Sequence, residues 1–262
     1  MTSRYAALAL LIAVGCRPTD DGAVGSVEDV AAVGSDAASR IDRACDSGDP
    51  VACGELGRVA PDAASAYAWF VRACDGGADV YCYDLASMIE NGDGVAVDHA
   101  RAATLFAKAC AAGETHACGD LGAMMVLGRG VPVDVAGGAA RLTRACDDRV
   151  GRACFDLGLF AKDGLVAGKP GAWLERGCLA NDGASCLELG LWVGNGLAGE
   201  AVDPTRGKAL IERACDLGSG DGCVRAAAIA EAGQIVAADP ERAADYRKKA
   251  CALGVRAACA AP

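Results

Sequence analysis

The sequence predicts an all-α fold built of helix-turn-helix repeats, each stapled by a disulfide and stacked into a solenoid. Three observations carry this. Fourteen of the fifteen cysteines fall in seven pairs eight positions apart: Cys45/Cys53, Cys74/Cys82, Cys110/Cys118, Cys146/Cys154, Cys178/Cys186, Cys215/Cys223 and Cys251/Cys259. The first members, at 45, 74, 110, 146, 178, 215 and 251, are separated by 29, 36, 36, 32, 37 and 36 residues. A period near 36 fits two helices with their turns. The residues around each pair read as the end of one helix and the start of the next.

The third observation rests on geometry. Residues eight apart in one continuous helix lie about 12 Å apart, whereas a disulfide needs Cα atoms within about 7 Å. The chain must therefore reverse between the two cysteines, and the constant spacing makes local pairing the simplest connectivity. Three positions after the first cysteine stand Gly48, Gly77, Gly113, Gly218 and Gly254, where a left-handed helix-ending residue is expected. Asn181 also adopts that conformation readily, and Arg149 is the one departure. Two positions before it every copy is basic: Arg43, Arg72, Lys108, Arg144, Arg176, Arg213 and Lys249. Cations there are expected to face the negative end of their own helix. A closed loop this small contributes on the order of 2.5 kcal/mol.

In chain order, "MTSRYAALALLIAVGC" places Arg4 before an uncharged stretch from Tyr5 to Gly15, the size of a secretory signal core and too short to span a bilayer. It ends in "AVGC", which resembles the bacterial lipobox. In that reading residues 1–15 are a signal peptide, Cys16 is the lipid attachment site, and 16–35 form a flexible tether of small and acidic residues. Arg17, where an aspartate would favour inner-membrane retention, points to the outer membrane or periplasm; the alternative is secretion. The solenoid is expected over 36–262. Within a repeat, as in "VYCYDLASMIENGDGVAVDHARAATLFAKAC", a first helix ends at Gly92 and Gly94. Asp98 then caps a second helix running to Cys110, and Asp134, Asp203 and Asp239 repeat the cap. After the second cysteine the chain reads C-x-x-L-G in most copies, while "CVRAA" at 223 has lost the leucine. Glycine inside a helix costs about 1 kcal/mol against alanine, so its recurrence implies close approach of a neighbouring helix backbone.

The "LG…G-x-GV…D…A…KAC…G" layout resembles the Sel-one-like repeat, a relative of the tetratricopeptide repeat; "GDGV" at 92–95 and "GRGV" at 128–131 match its loop. The paired cysteines make the chain similar to the Helicobacter cysteine-rich protein family. The first repeat departs in lacking the glycine loop ("GRVAPDAAS"), and the fourth is shortened around "KDGLVAGKPGAW". The resemblance implies a right-handed, tetratricopeptide-like α/α solenoid of about six repeats. On the first helix, positions one, five and eight after the cysteine cluster about 100° from the packing face, and the resemblance places them in the concave groove. Tyr83, Phe155, Leu159, Leu187 and Leu191 are the candidate groove residues, with Ser87, Glu90 and Lys162 beside them. A peptide or protein partner is the binding expectation.

A net charge of −10 argues against nucleic acid as partner. The resemblance also implies an alternative, a weak β-lactamase or penicillin-binding protein with β-lactam or peptidoglycan-related ligands. That chemistry needs Ser-x-x-Lys, and Ser39, Ser65, Ser87 and Ser185 have no lysine three positions on. Zinc sites use knuckle spacings of two to four residues and usually histidine. Here the spacer is seven and there are only His99, opening a helix, and His116, in a turn. No metal, cofactor or catalytic residue is expected.

Overall fold

The computed structural model describes residues 39–233, 235 and 237–259. The signal segment 1–15, Cys16 and the tether to 35 lie outside the described residues. The chain divides into two units, 1–117 and 118–262. The first runs through a helix over residues 39–46 (α1), α2 (Pro50–Val59), α3 (Ala63–Asp75), a 3-10 turn at Asp79–Tyr81, α4 (Cys82–Asn91) and α5 (His99–Ala111). The helix that begins near the second cysteine of a staple is the A helix of its repeat (α2, α4); the one that ends at the next staple is the B helix (α3, α5). Phe70, Leu85, Ile89 and Phe106 fill this unit's interior, between alanines 73, 102, 103 and 109 that let the helices approach.

Helix α6 (Thr115–Leu127) leads into the second unit. It continues through α7 (Val135–Asp147), α8 (Gly151–Lys162), α9 (Pro170–Leu179), α10 (Gly183–Asn195), α11 (Pro204–Asp216), α12 (Gly220–Ala232), α13 (Pro240–Ala252) and α14 (Arg256–Cys259). Its core is a succession of small clusters. One gathers Val126, Leu142, Leu157 and Phe160, the next Leu174, Leu189, Trp192 and Val193, the last Ile211, Ala226, Ala227 and Tyr246. Repeats that touch only their neighbours produce this pattern.

Cys45–Cys53, Cys74–Cys82, Cys146–Cys154, Cys178–Cys186, Cys215–Cys223 and Cys251–Cys259 are disulfides with Cα atoms 4.4 to 4.9 Å apart. Cys110 and Cys118 are disulfide-bonded as well. At every staple the carbonyl of the residue before the first cysteine accepts the N–H five positions on, from Asp49 to Ala44 through Val255 to Ala250. This bond across a left-handed residue is the Schellman closure of a helix. Gly48, Gly77, Gly113, Gly218 and Gly254 hold φ between 85° and 100°, and Asn181 holds 65°. Arg149 departs in residue type only, since its φ is 66°. A side chain in this region costs about 1–2 kcal/mol, partly offset by the lower unfolded-state entropy of a non-glycine residue. Arg149→Gly is therefore expected to raise stability by about 0.5 kcal/mol; an unchanged or lower midpoint in urea would contradict it.

The sequence leads one to expect these basic residues to face their own helix ends, but Arg72, Lys108, Arg176 and Lys249 do not. They reach the preceding repeat. Arg72 donates to the carbonyl of Cys45 at 3.0 Å and meets Asp46 at 3.4 Å; Lys108 donates to the carbonyl of Cys74 at 2.7 Å and pairs with Asp79 at 3.1 Å. Arg176 pairs with Asp147, and Lys249 with Asp216 at 2.9 Å. The reason is charge: each preceding staple carries a carboxylate (Asp46, Asp79, Asp147 or Asp216) within reach of the cation, and a charged partner outweighs the partial charge of the cation's own helix end.

The A–B loops follow one plan. Gly92, Gly128, Gly196 and Gly233 end α4, α6, α10 and α12 with φ between 61° and 79°. Over the first three lies a valine, Val97, Val133 or Val202, whose methyl would meet an added Cβ at 2.6 to 3.0 Å. The next residue is the capping aspartate. Asp98, Asp134, Asp203 and Asp239 accept the N–H of Arg101, Gly137, Arg206 and Arg242 at 2.8 to 3.0 Å. Their own N–H groups bond back to Ile89, Met125, Val193 and Ala230. Helix α9 lacks the aspartate and starts at Lys169–Pro170 with no side-chain cap.

The helix-interior glycines have two explanations. At Gly122 and Gly190 the B-helix backbone comes close: an added Cβ would stand 2.8 Å from the Gly138 oxygen or 2.9 Å from the Gly207 oxygen. At Gly57 and Gly158 the space is taken by a side chain of the B helix, the ring of Phe70 or the Leu174 methyls.

Candidate functional site

On α4, Tyr83 is half-buried, its ring centroid 5.8 Å from Phe106 and 6.0 Å from His116. His116 is not in a turn: α6 begins at Thr115, two residues after the left-handed Gly113, so the imidazole lies in a first helical turn. Its Nδ1 sits 2.9 Å from the Glu114 carboxylate. His99 opens α5, and its buried Nδ1 has no hydrogen-bond partner among the described residues.

In the second unit the four apolar candidates come together in two steps. Phe155 and Leu159 of α8 pack with Leu191 of α10 against Leu174, Leu189, Trp192 and Val193. Leu187 and Leu191 pack against the following cluster around Ile211. All four are half-buried. They seal the seam between successive A helices and leave part of each side chain at the surface.

Sequence reasoning passed over the acidic residue two places after the second cysteine: Glu55, Asp84, Asp120, Asp156 and Glu188. In the first unit, the Tyr81 hydroxyl donates to Glu55 at 2.5 Å, and the Arg58 guanidinium lies 4.8 Å from the Tyr81 ring centroid. Arg58 reaches both Glu55 and Asp84 at 3.5 Å. Burial, then the Glu55 carboxylate, push Tyr81 up to about 12. Burial also raises the Asp84 carboxyl against the opposing pull of Arg58. In the second unit the buried Asp156 holds Arg152 at 3.2 Å. Burial alone would lower the Arg152 guanidinium; Asp156, with Asp120 and Asp182 beyond, leaves it raised. Arg152 stacks over Phe155, and Trp192 Nε1 donates to Glu188 at 2.9 Å with Lys162 over its ring. The A-helix surface is thus a mixed one, apolar side chains interleaved with internally paired charges.

Paired helices closed by a Schellman turn and a cystine, repeated with the same loop and cap, define a disulfide-stapled α/α-repeat protein. The Sel1 repeat model matches residues 52–77, 80–114, 183–219 and 221–255, just over half of the sequence, and the chain belongs to the Sel1 repeat family. Among solved structures it is similar to a Sel1 repeat protein from Oxalobacter formigenes, at 21% identity and a TM-score of 0.64, covering 78% of this chain and 85% of that one. It is also similar to a protective antigen of uropathogenic Escherichia coli with the same fold, at 24% identity and a TM-score of 0.57, covering 83% of this chain and 49% of that one. Helicobacter pylori cysteine rich protein B matches at 26% identity and a TM-score of 0.41, over 48% of this chain and 93% of that one. No curated protein sequence matches the chain. Sel1 repeats are protein-interaction scaffolds, and so many cystines belong to an oxidising compartment outside the cytoplasm. No helix among the described residues is long and apolar enough to cross a membrane.

Proposed function

We propose that the protein is a non-enzymatic scaffold, held at the cell envelope through a lipid on Cys16, that binds a peptide or protein partner along the faces of its A helices. The observation that supports this is the run of Phe155, Leu159, Leu187 and Leu191, apolar side chains left part-exposed across α8 and α10. Such strips receive extended or helical segments of a partner. A photo-crosslinking residue placed at Phe155 or Leu187 is expected to capture one discrete partner in intact cells, and the same residue at the exposed Ala209 of α11 is not. Equal capture at both positions, or none at 155 and 187, would contradict the reading. The anchor is tested separately by metabolic labelling with an acyl donor, which Cys16→Ser is expected to abolish. The β-lactam alternative rests on resemblance alone; nitrocefin turnover by purified protein tests it.

A further inference from the structure

Three helices of the second unit leave a hollow of about 560 Å³ between them. Leu191 of α10, Ile211 of α11 and Ile229 of α12 give it an apolar lining. Gly194 and Gly207 also line it, and Gly194 leaves it open: an added Cβ there would meet nothing nearer than 3.9 Å. The volume falls within the range of sites that enclose a small ligand or a side chain with its neighbours.

The sequence changes character at this place. In "CVRAA" the leucine of the repeat becomes Ala226, and the acid that occupies the same position in five earlier copies becomes Arg225. Arg225 lines the hollow, is exposed, and has no ion-pair partner among the described residues. Opposite stands Lys208, which also lines it. Its ammonium contacts Glu212 at 2.8 Å, but that one carboxylate also takes Arg242 at 2.9 Å and the Tyr246 hydroxyl at 3.0 Å. Two cations share one anion on that wall, so it stays net positive. A chain with net charge −10 therefore gathers unbalanced positive charge around one apolar hollow.

We propose that this hollow seats a carboxylate-bearing apolar peptide segment of the partner. An aliphatic side chain would lie on Leu191, Ile211 and Ile229, and a carboxylate would be bound by Arg225 with Lys208 behind it. Charge complementarity selects this occupant: a basic or neutral segment would leave Arg225 unpaired against an apolar ligand, whereas a guanidinium and a carboxylate form strong paired hydrogen bonds. The inference rests on the scaffold reading and names the partner's chemistry at one site. The carboxylate comes either from an aspartate or glutamate side chain or from a chain terminus.

Three peptides added to the ¹⁵N-labelled full chain distinguish these cases: N-acetyl-Ala-Leu-Asp-Ala-amide, N-acetyl-Ala-Ala-Leu free acid, and the neutral N-acetyl-Ala-Leu-Asn-Ala-amide. At least one carboxylate peptide is expected to shift the amide signals of Gly194 and Gly207, binding about tenfold tighter than the neutral one. Arg225→Glu, at an exposed position, is expected to weaken it by about tenfold or more. Response to the first peptide alone assigns an internal acid, and to the second alone a carboxy terminus. Silence at both glycines, equal binding of the neutral peptide, or binding indifferent to Arg225→Glu overturns the proposal. Partner capture at 155 and 187 that is unaffected by Arg225→Glu would overturn this site while leaving the scaffold reading intact.

Discussion

Gly207→Ala is expected to lower stability by about 3 kcal/mol, although alanine is the better helix former. The new Cβ would stand 2.7 Å from the Gly190 oxygen and the Gly194 Cα, and 2.8 Å from the Gly194 nitrogen. These are backbone atoms of α10, which have no rotamer to escape into, so α10 and α11 must part along their length. Parting them opens the cluster around Ile211 and lifts Gly190 away from its neighbour. The gain in helix propensity, about 1 kcal/mol, is smaller than the strain. Gly194→Ala supplies the control. Nothing stands nearer than 3.9 Å to its added Cβ, so propensity should win there and stability should rise by about 0.5–1 kcal/mol. Urea midpoints of the two variants moving in opposite directions is the expected result. Movement in the same direction would remove close helix crossing as the reason for the repeated glycine.

Removing the Cys178–Cys186 staple by replacing both residues with alanine is expected to cost about 3–4 kcal/mol. Both residues are buried, at 2% and 0% exposure, so besides the freedom the unfolded chain regains, the core is left with two small voids where sulfur had packed. Cys251–Cys259 differs. Cys259 is exposed and Cys251 half-buried. Thiol attack on a disulfide needs access to sulfur. Under graded reductant, alkylation followed by mass spectrometry is expected to find Cys251 and Cys259 modified first, with helicity almost unchanged. Simultaneous reduction of all staples, or earlier opening at Cys178, would show that burial does not protect them.

What the sequence made legible is what is local. The reversal inside each staple, the aspartate caps and the left-handed glycines each depend on residues within one turn of each other, and the structure has them where expected. Arg149 adopts the left-handed geometry because the eight-residue closure imposes it on whatever residue stands there. The destinations of Arg72 and Lys108 were not legible, because they depend on the register between one B helix and the next. The same holds for Asp156. A helical wheel puts it opposite the staple, in solvent, and only packing of the repeats covers it. Phe155, Leu159, Leu187 and Leu191 share a face in both readings; how far the seams close over them is a matter of helix spacing, which periodicity does not encode.

Each cystine closes over eight residues, while the nearest cysteine of the next pair lies 21 to 29 positions further on. Ring closure over the longer span is less favourable by about 1 kcal/mol. For a chain entering an oxidising compartment amino end first, with Cys16 held by the proposed lipid and so out of play, the correct partner of each staple's first cysteine is also the next cysteine to emerge. Oxidation in order of arrival then yields the native connectivity without reshuffling, and the protein should mature without a disulfide isomerase, needing only an oxidant.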